Sequence, residues 1–130
     1  MKLLLDTHAM LWWWSDPDRL PPQAISLLSD GANTVLASAV SAYEIAYKHQ
    51  LGKLVLPARL LPDFENAVAD ERWTPLPIST AHGLLAGQLL SPHRDPFDRL
   101  LAAQALVEEA VLVTANPAFT TFSNLQTLWG

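Results

Sequence analysis

The chain runs Leu3-Leu4-Leu5 straight into Asp6-Thr7-His8. A short continuous apolar run bounded by polar residues is the pattern of a strand buried on both faces, and such strands belong to parallel sheets. A chain built on it must supply further strands to pair with it and helices to cover both its faces. Asp6 then stands at the carboxyl end of the strand, where open α/β sheets bind their ligands. The functional question is which other groups converge on it.

The remaining pattern alternates short apolar strands with helices. Thr34 to Ser38 reads as a second buried strand, Val111 to Thr114 as another, and Gln126 to Trp129 as a last one. Trp73 to Ile78 is interrupted by prolines and reads as a short strand or edge segment. Helical stretches fall at Ala9–Trp14, Pro22–Asp30, Ser41–Leu51, Pro62–Arg72 and Ser79–Leu90. Gly31 and Gly52 end two of them. Ser41 and Glu44 are spaced as a capping box. Asp95-Pro96-Phe97-Asp98 opens a long helix to about Glu109, with proline at the favoured first position. Leu54 to Pro57 reads as an extended apolar piece. The expected fold is α/β: one domain over 1–130, a central parallel sheet flanked by helices.

Composition narrows the chemistry. Half of the 130 residues are hydrophobic, which supports a real core. There is no cysteine, so disulfides, thiolate zinc sites and a cysteine nucleophile are excluded, and a reducing cytoplasm is the natural setting. Asp6 interrupts the apolar start before a signal-peptide core forms, and no apolar stretch is long enough for a membrane span. A net charge of −5 argues against nonspecific coating of nucleic acid. It is compatible with cutting nucleic acid if bound metal offsets local carboxylates. Trp12-Trp13-Trp14 is too bulky for one face to bury whole. At least one indole is expected at a groove or partner surface, with core-plus-rim packing the plainer reading.

Most acids have ordinary explanations as turn residues, helix caps or a solvated face. Asp6 reads locally as the N-cap of the next helix, Glu44 as the third residue of the capping box, and Asp95 as the N-cap before Pro96. Asp98 is different. Its helical neighbours at i+3, i+4 and i+7 are Leu101, Ala102 and Ala105, so it stands in line with a buried stripe at a helix N-terminus. Asn116 lies just past one strand as Asp6 lies past another. If those strands are neighbours, both face one crevice. Its local alternative is a turn residue before Pro117. Carboxylates converging from separate elements need a cation between them, and oxygen donors without sulfur point to Mg²⁺ or Mn²⁺. Such a site suits phosphodiester hydrolysis. His8 adds a further polar group beside Asp6.

Four segments carry a family resemblance. Met1 to Trp12 resembles the opening of PIN-domain toxins of the VapC type. Ser38-Ala39-Val40-Ser41-Ala42-Tyr43-Glu44-Ile45 resembles their second acidic motif. His93-Arg94-Asp95-Pro96-Phe97-Asp98-Arg99-Leu100-Leu101-Ala102 resembles the third, and Val113-Thr114-Ala115-Asn116-Pro117-Ala118-Phe119 the fourth. The resemblance implies a PIN-like parallel sheet and Mg²⁺- or Mn²⁺-dependent endoribonuclease activity within a toxin–antitoxin pair. It places the metal ligands at Asp6, Glu44 and Asp98, which reverses the local reading of Glu44. At the fourth position Asn116 departs from the acid of many members, which leaves one or two metal ions open. Asn116 is then expected to orient water or a second, weaker ion.

Thr7, Ser38 and Thr114 are candidates to orient the ligands, with Asp95 as a supporting neighbour. Lys48, Arg94 and Arg99 are candidate phosphate contacts, each also able to pair with a site carboxylate. The implied partners are RNA, a cognate antitoxin and a second copy of the chain. The docking surfaces suggested for these partners are Trp12–Trp14 and the apolar helices from Pro22 to Leu61. The alternative is a partner-binding module of the same fold with weak or no nuclease activity, which Asn116 favours. A haloacid dehalogenase-like phosphatase also starts with a strand ending in aspartate. It wants a second acid two residues on, where this chain has His8.

Overall fold

The structure is a computed structural model and describes residues 1–130. Five strands form the sheet: β1 (Lys2–Leu5), β2 (Thr34–Ser38), β3 (Thr74–Leu76), β4 (Val111–Val113) and β5 (Thr127–Leu128). Six α-helices connect and flank them: α1 (Thr7–Ser15), α2 (Pro22–Ser29), α3 (Ala39–Gln50), α4 (Phe64–Asp70), α5 (Thr80–Gln88) and α6 (Pro96–Glu108). The strand order is β3-β2-β1-β4-β5 and every pairing is parallel. The expected parallel α/β architecture is therefore the observed one. No helix is long and apolar enough to cross a membrane.

β1 occupies the centre. Leu3, Leu4 and Leu5 are each fully buried, as a strand covered on both faces requires. Successive side chains point to opposite faces. Leu3 and Leu5 join Val35, Ala37 and Val113 on one face, under Ala9 and Met10 of α1, Ala24 and Leu28 of α2, and Val68 of α4. Leu4 joins Leu36 and Leu112 on the other, under Leu101, Ala102 and Ala105 of α6. α3 sends Ile45 into the first cluster and Val40 into the second, and packs against both α1 and α6. It thereby holds the two covering layers in fixed relation.

Several local expectations change. The Ser41–Glu44 capping box does not form, because the helix starts earlier. β2 runs extended up to Ser38, whose backbone (φ −79°, ψ 142°) turns straight into α3. The Ser38 hydroxyl accepts from the Val40 amide at 3.0 Å and so takes the cap before Ser41 is reached. Ser41 lies inside the helix and is fully buried. Leu54–Pro57 joins no strand, and α4 begins at Phe64 rather than Pro62. A 3₁₀ helix at Pro117–Thr121, capped by Asn116, was not anticipated.

The three tryptophans follow the plainer reading. All are half-buried against the first core cluster. Trp12 packs on Trp129 with Arg19 over its ring, Trp13 on Trp73, and Trp14 on Trp73 and Phe64.

Ser38 also donates to Gln104 Oε1 in the middle of α6. It joins β2, α3 and α6 through one hydroxyl. Ser38→Ala removes a helix cap and leaves a buried amide oxygen unpaired. It is expected to lower unfolding free energy by about 2 kcal/mol or more, read by urea denaturation. Ser41→Ala should cost clearly less, an ordering that a cap at Ser41 would reverse.

Candidate functional site

β1 and β4 are adjacent, with Leu5 in register with Val113. This is where the sheet's strand order switches direction, since the chain leaves β1 toward β2 and later returns on β1's other side as β4. Such a switch point opens a crevice at the carboxyl edge. Asp6 sits in it. Its amide donates to Val113 O at 3.1 Å, which extends the β1–β4 ladder by one residue.

The Asp6 side chain is only 5% exposed. Its Oδ1 accepts from the Ala9 amide at 2.7 Å and its Oδ2 from the Thr114 hydroxyl at 2.5 Å. The N-cap reading is realised in this carboxylate, which also ties the start of α1 to the end of β4. Its pKa is raised. Burial is the chief cause, and the negative charge of Asp98 adds to it. The bonds from Thr114 and Ala9 and the nearby His8 act against the rise.

Asp98 stands in the first turn of α6, where Asp95 caps the helix by accepting from the Phe97 and Asp98 amides at 2.9 and 3.2 Å. Burial raises the Asp98 pKa, the His93 hydrogen bond opposes this, and the charges of Asp95 and Glu44 raise it further. Asp6 thus feels Asp98, and Asp98 feels Glu44. Asp98 is the acid whose charge is felt from both sides, while the three side chains are not drawn into one cluster.

Glu44 is 3% exposed on the inner side of α3. Without a capping box its carboxylate is free for other partners. Oε1 accepts from the Thr7 hydroxyl at 2.6 Å, and Oε2 pairs with the Lys48 ammonium one turn on. Thr7 also lies 3.0 Å from Ser41 Oγ. Thr7 and Thr114 therefore touch two of the three acids, while Ser38 touches none and acts as cap and tie to α6.

The amide of Asn116 donates to Thr114 Oγ1, and its side-chain oxygen accepts from the Ala118 amide at 3.0 Å. The turn role is real, and Asn116 joins Asp6 through Thr114. Arg99 lies apart from the carboxylates in its bonding. Its guanidinium donates to the carbonyls of Ala86, Leu89 and His93 at 3.1, 2.6 and 3.0 Å. It closes the carbonyl end of α5 and fastens the loop to α6. Arg94 is exposed and in no ion pair.

Sequence reasoning left His93 in a loop without a role. Its Nε2 lies 2.7 Å from Asp98 Oδ2, and its ring meets Phe119 and Phe122 edge-on. The available signal was its place five residues before Asp98, across a capped turn that doubles the chain back.

As the side chains stand, no three acids or histidines are gathered closely enough to hold an ion. The chemistry of the donor set nevertheless suits a hard divalent cation. All three carboxylates offer oxygen, and burial and mutual charge raise two of them. Asp98 Oδ1 accepts no bond from any protein donor. The cations beside them are Lys48 on Glu44 and, when protonated, His93 on Asp98.

Residues 3–125 match the PIN domain family. The chain is 30% identical over 112 residues to Ribonuclease VapC22 of Mycobacterium tuberculosis, covering 86% of this chain and 85% of that protein. In fold it is similar to VapBC2 from Rickettsia felis bound to a promoter DNA fragment, with TM-score 0.75, 22% identity and all of both chains covered. It is also similar to DNA-bound VapBC from Salmonella typhimurium, with TM-score 0.76, 20% identity, and 98% and 97% of the two chains covered.

A raised carboxyl pKa has a defined consequence for stability. The folded state binds the proton more tightly than the unfolded chain, so stability falls as pH rises from the ordinary carboxylate value through the folded one. Asp6→Asn keeps the acceptor for Ala9 and removes the buried charge. In chelator at neutral pH it should melt higher than the parent, by about 2–6 °C for each kcal/mol of relieved desolvation. The difference should vanish below about pH 3.9. A lower melting temperature at neutral pH would show that the charge itself stabilises the edge.

Proposed function

The chain belongs to the PIN-domain family, and from that premise we propose that it is a metal-dependent endoribonuclease and the toxin half of a toxin–antitoxin pair. The observation that carries this reading is that three acids from separate elements, Asp6 after β1, Glu44 on α3 and Asp98 on α6, are each largely withdrawn from water. A fold has no structural need to pool like charges there. A divalent cation removes the conflict.

Asp6, Glu44 and Asp98 would hold Mg²⁺ or Mn²⁺. When bound, such an ion polarises the phosphate and lowers the pKa of an attacking water. The protein's own contribution is placement. The Thr114 and Thr7 hydroxyls fix the Asp6 and Glu44 carboxylates. His93 fixes Asp98 from the opposite side. Asn116, whose amide bonds Thr114 and whose side-chain oxygen caps the following turn, would orient water or a weaker second ion. Arg94 is unpaired and free to meet RNA phosphates, Lys48 can do so only beside its pairing with Glu44, and the Arg99 donors are taken by carbonyls. The VapC resemblance also supplies the proposed antitoxin, a homodimeric state and a cytoplasmic setting. A 670 Å³ groove lined by Ala37, Ala42, Phe64, Val68, Pro75 and Leu76 is an apolar surface on which a partner can seat.

A second reading is favoured by one observation: Glu44 is already neutralised by Lys48. A fold whose acids carry internal counter-charges can serve as a partner-binding module without cutting RNA.

The two readings separate in a cleavage assay on antitoxin-free protein. Structured and unstructured RNAs are incubated with Mg²⁺, Mn²⁺ or chelator. Cleavage should require the metal and fall more than about a hundredfold in Asp6→Ala and Asp98→Ala. Thr114→Val should lose about 10–100-fold, as for residues that orient a ligand. Lys48→Ala should weaken binding and reduce the salt slope by about one. Cleavage that persists in chelator sinks the metal site. No cleavage of any RNA, with a partner still bound, favours the module.

A further inference from the structure

One surface feature is left over by the site. Tyr43 and Tyr47 on α3 are 59% and 43% exposed. Their rings stack at 5.8 Å with only 14° between planes. Phe97 at the start of α6 continues the strip, its ring 5.6 Å from Tyr43. An i,i+4 aromatic pair is an ordinary contact on one helix. The third ring comes from another element, so tertiary structure assembles the strip. Its two tyrosines stack on each other and leave about half of their surface to water rather than to a core.

The strip reaches the carboxylates through a cation. The Lys48 ammonium, paired with Glu44, lies 5.9 Å from the centre of the Phe97 ring. Exposed aromatic faces beside a cation are the means by which proteins hold unpaired bases, since bases stack on the rings while the backbone follows the positive charge. A duplex offers no free base face and gains nothing from such a strip.

We propose that Tyr43, Tyr47 and Phe97 form a stacking platform for unpaired bases of the RNA, next to the phosphate engaged at the carboxylates. This rests on the nuclease reading and adds to it that the substrate is single-stranded where it meets α3. The tyrosines supply faces rather than hydroxyl chemistry, so phenylalanine can replace them. They select for strandedness more than for sequence, because every base has a π-face.

The test uses purified full chain and a single-stranded oligoribonucleotide carrying 2-aminopurine, with Ca²⁺ in place of Mg²⁺ so that binding is read apart from cleavage. The parent protein should quench the fluorophore, as stacking does. Tyr43→Ala with Tyr47→Ala should abolish the quench and raise Kd about tenfold. Tyr43→Phe with Tyr47→Phe should retain both, and none of these changes should alter binding of the same sequence annealed into a duplex. No quench by the parent, or unchanged Kd and quench in the alanine pair, overturns the platform. So does an alanine pair that alters only self-association in sedimentation, which would assign the strip to a second copy of the chain. Quenching without cleavage in Mg²⁺ would sink the nuclease and leave the platform standing. Cleavage with undiminished binding by the alanine pair would do the reverse.

Discussion

β1 is hydrogen-bonded on both sides, to β2 and to β4, and its three leucines are sealed by a helical layer on each face. The ladder continues one residue past the strand, through the Asp6 amide to Val113. The carboxylate of Asp6 is therefore carried at the end of a strand paired on both sides. It caps α1 and receives the hydroxyl from the end of β4. Remove the two-sided pairing and neither the cap nor the crevice has a fixed place.

The edge so built is electrostatically uncomfortable, and the discomfort is distributed in an orderly way. Asp6 has only neutral donors beside its oxygens, and burial pushes its pKa up. Asp98 has an imidazole, and Glu44 an ammonium. Each of these two carboxylates thus has a positive or protonatable partner of its own within the fold. Two of the carboxylates receive a hydroxyl from an element's start or end, Glu44 from Thr7 and Asp6 from Thr114. Those side chains are fixed by backbone geometry before any partner arrives.

Much of this was readable in advance. The run at Leu3–Leu5 has the signature of a buried central strand, and the alternation of strands and helices leads to a parallel sheet. Asp98 announced itself by standing in line with Leu101, Ala102 and Ala105. The reading failed where two local solutions competed. Ser41 and Glu44 satisfy the spacing of a capping box, yet Ser38 reaches the helix start first. Arg99 has the charge of a phosphate contact, yet four carbonyls at the end of α5 and its loop take its donors. His93 could not be placed, because its partner is reached only after the Asp95 turn brings the chain back on itself.

By itself the sequence determined which segments would be buried and which acids would stand at their ends, because both follow from the local order of apolar and polar residues. Asp6 was legible on those grounds from the first six residues. Only the tertiary structure decided which ends meet. The β1–β4 pairing sets Asp6 against Thr114, and α3 packed against both α1 and α6 brings Glu44 beside Thr7 and Tyr43 beside Phe97. Those contacts join residues far apart in the chain. They are fixed by how the helices share two faces of one sheet, which no local pattern records.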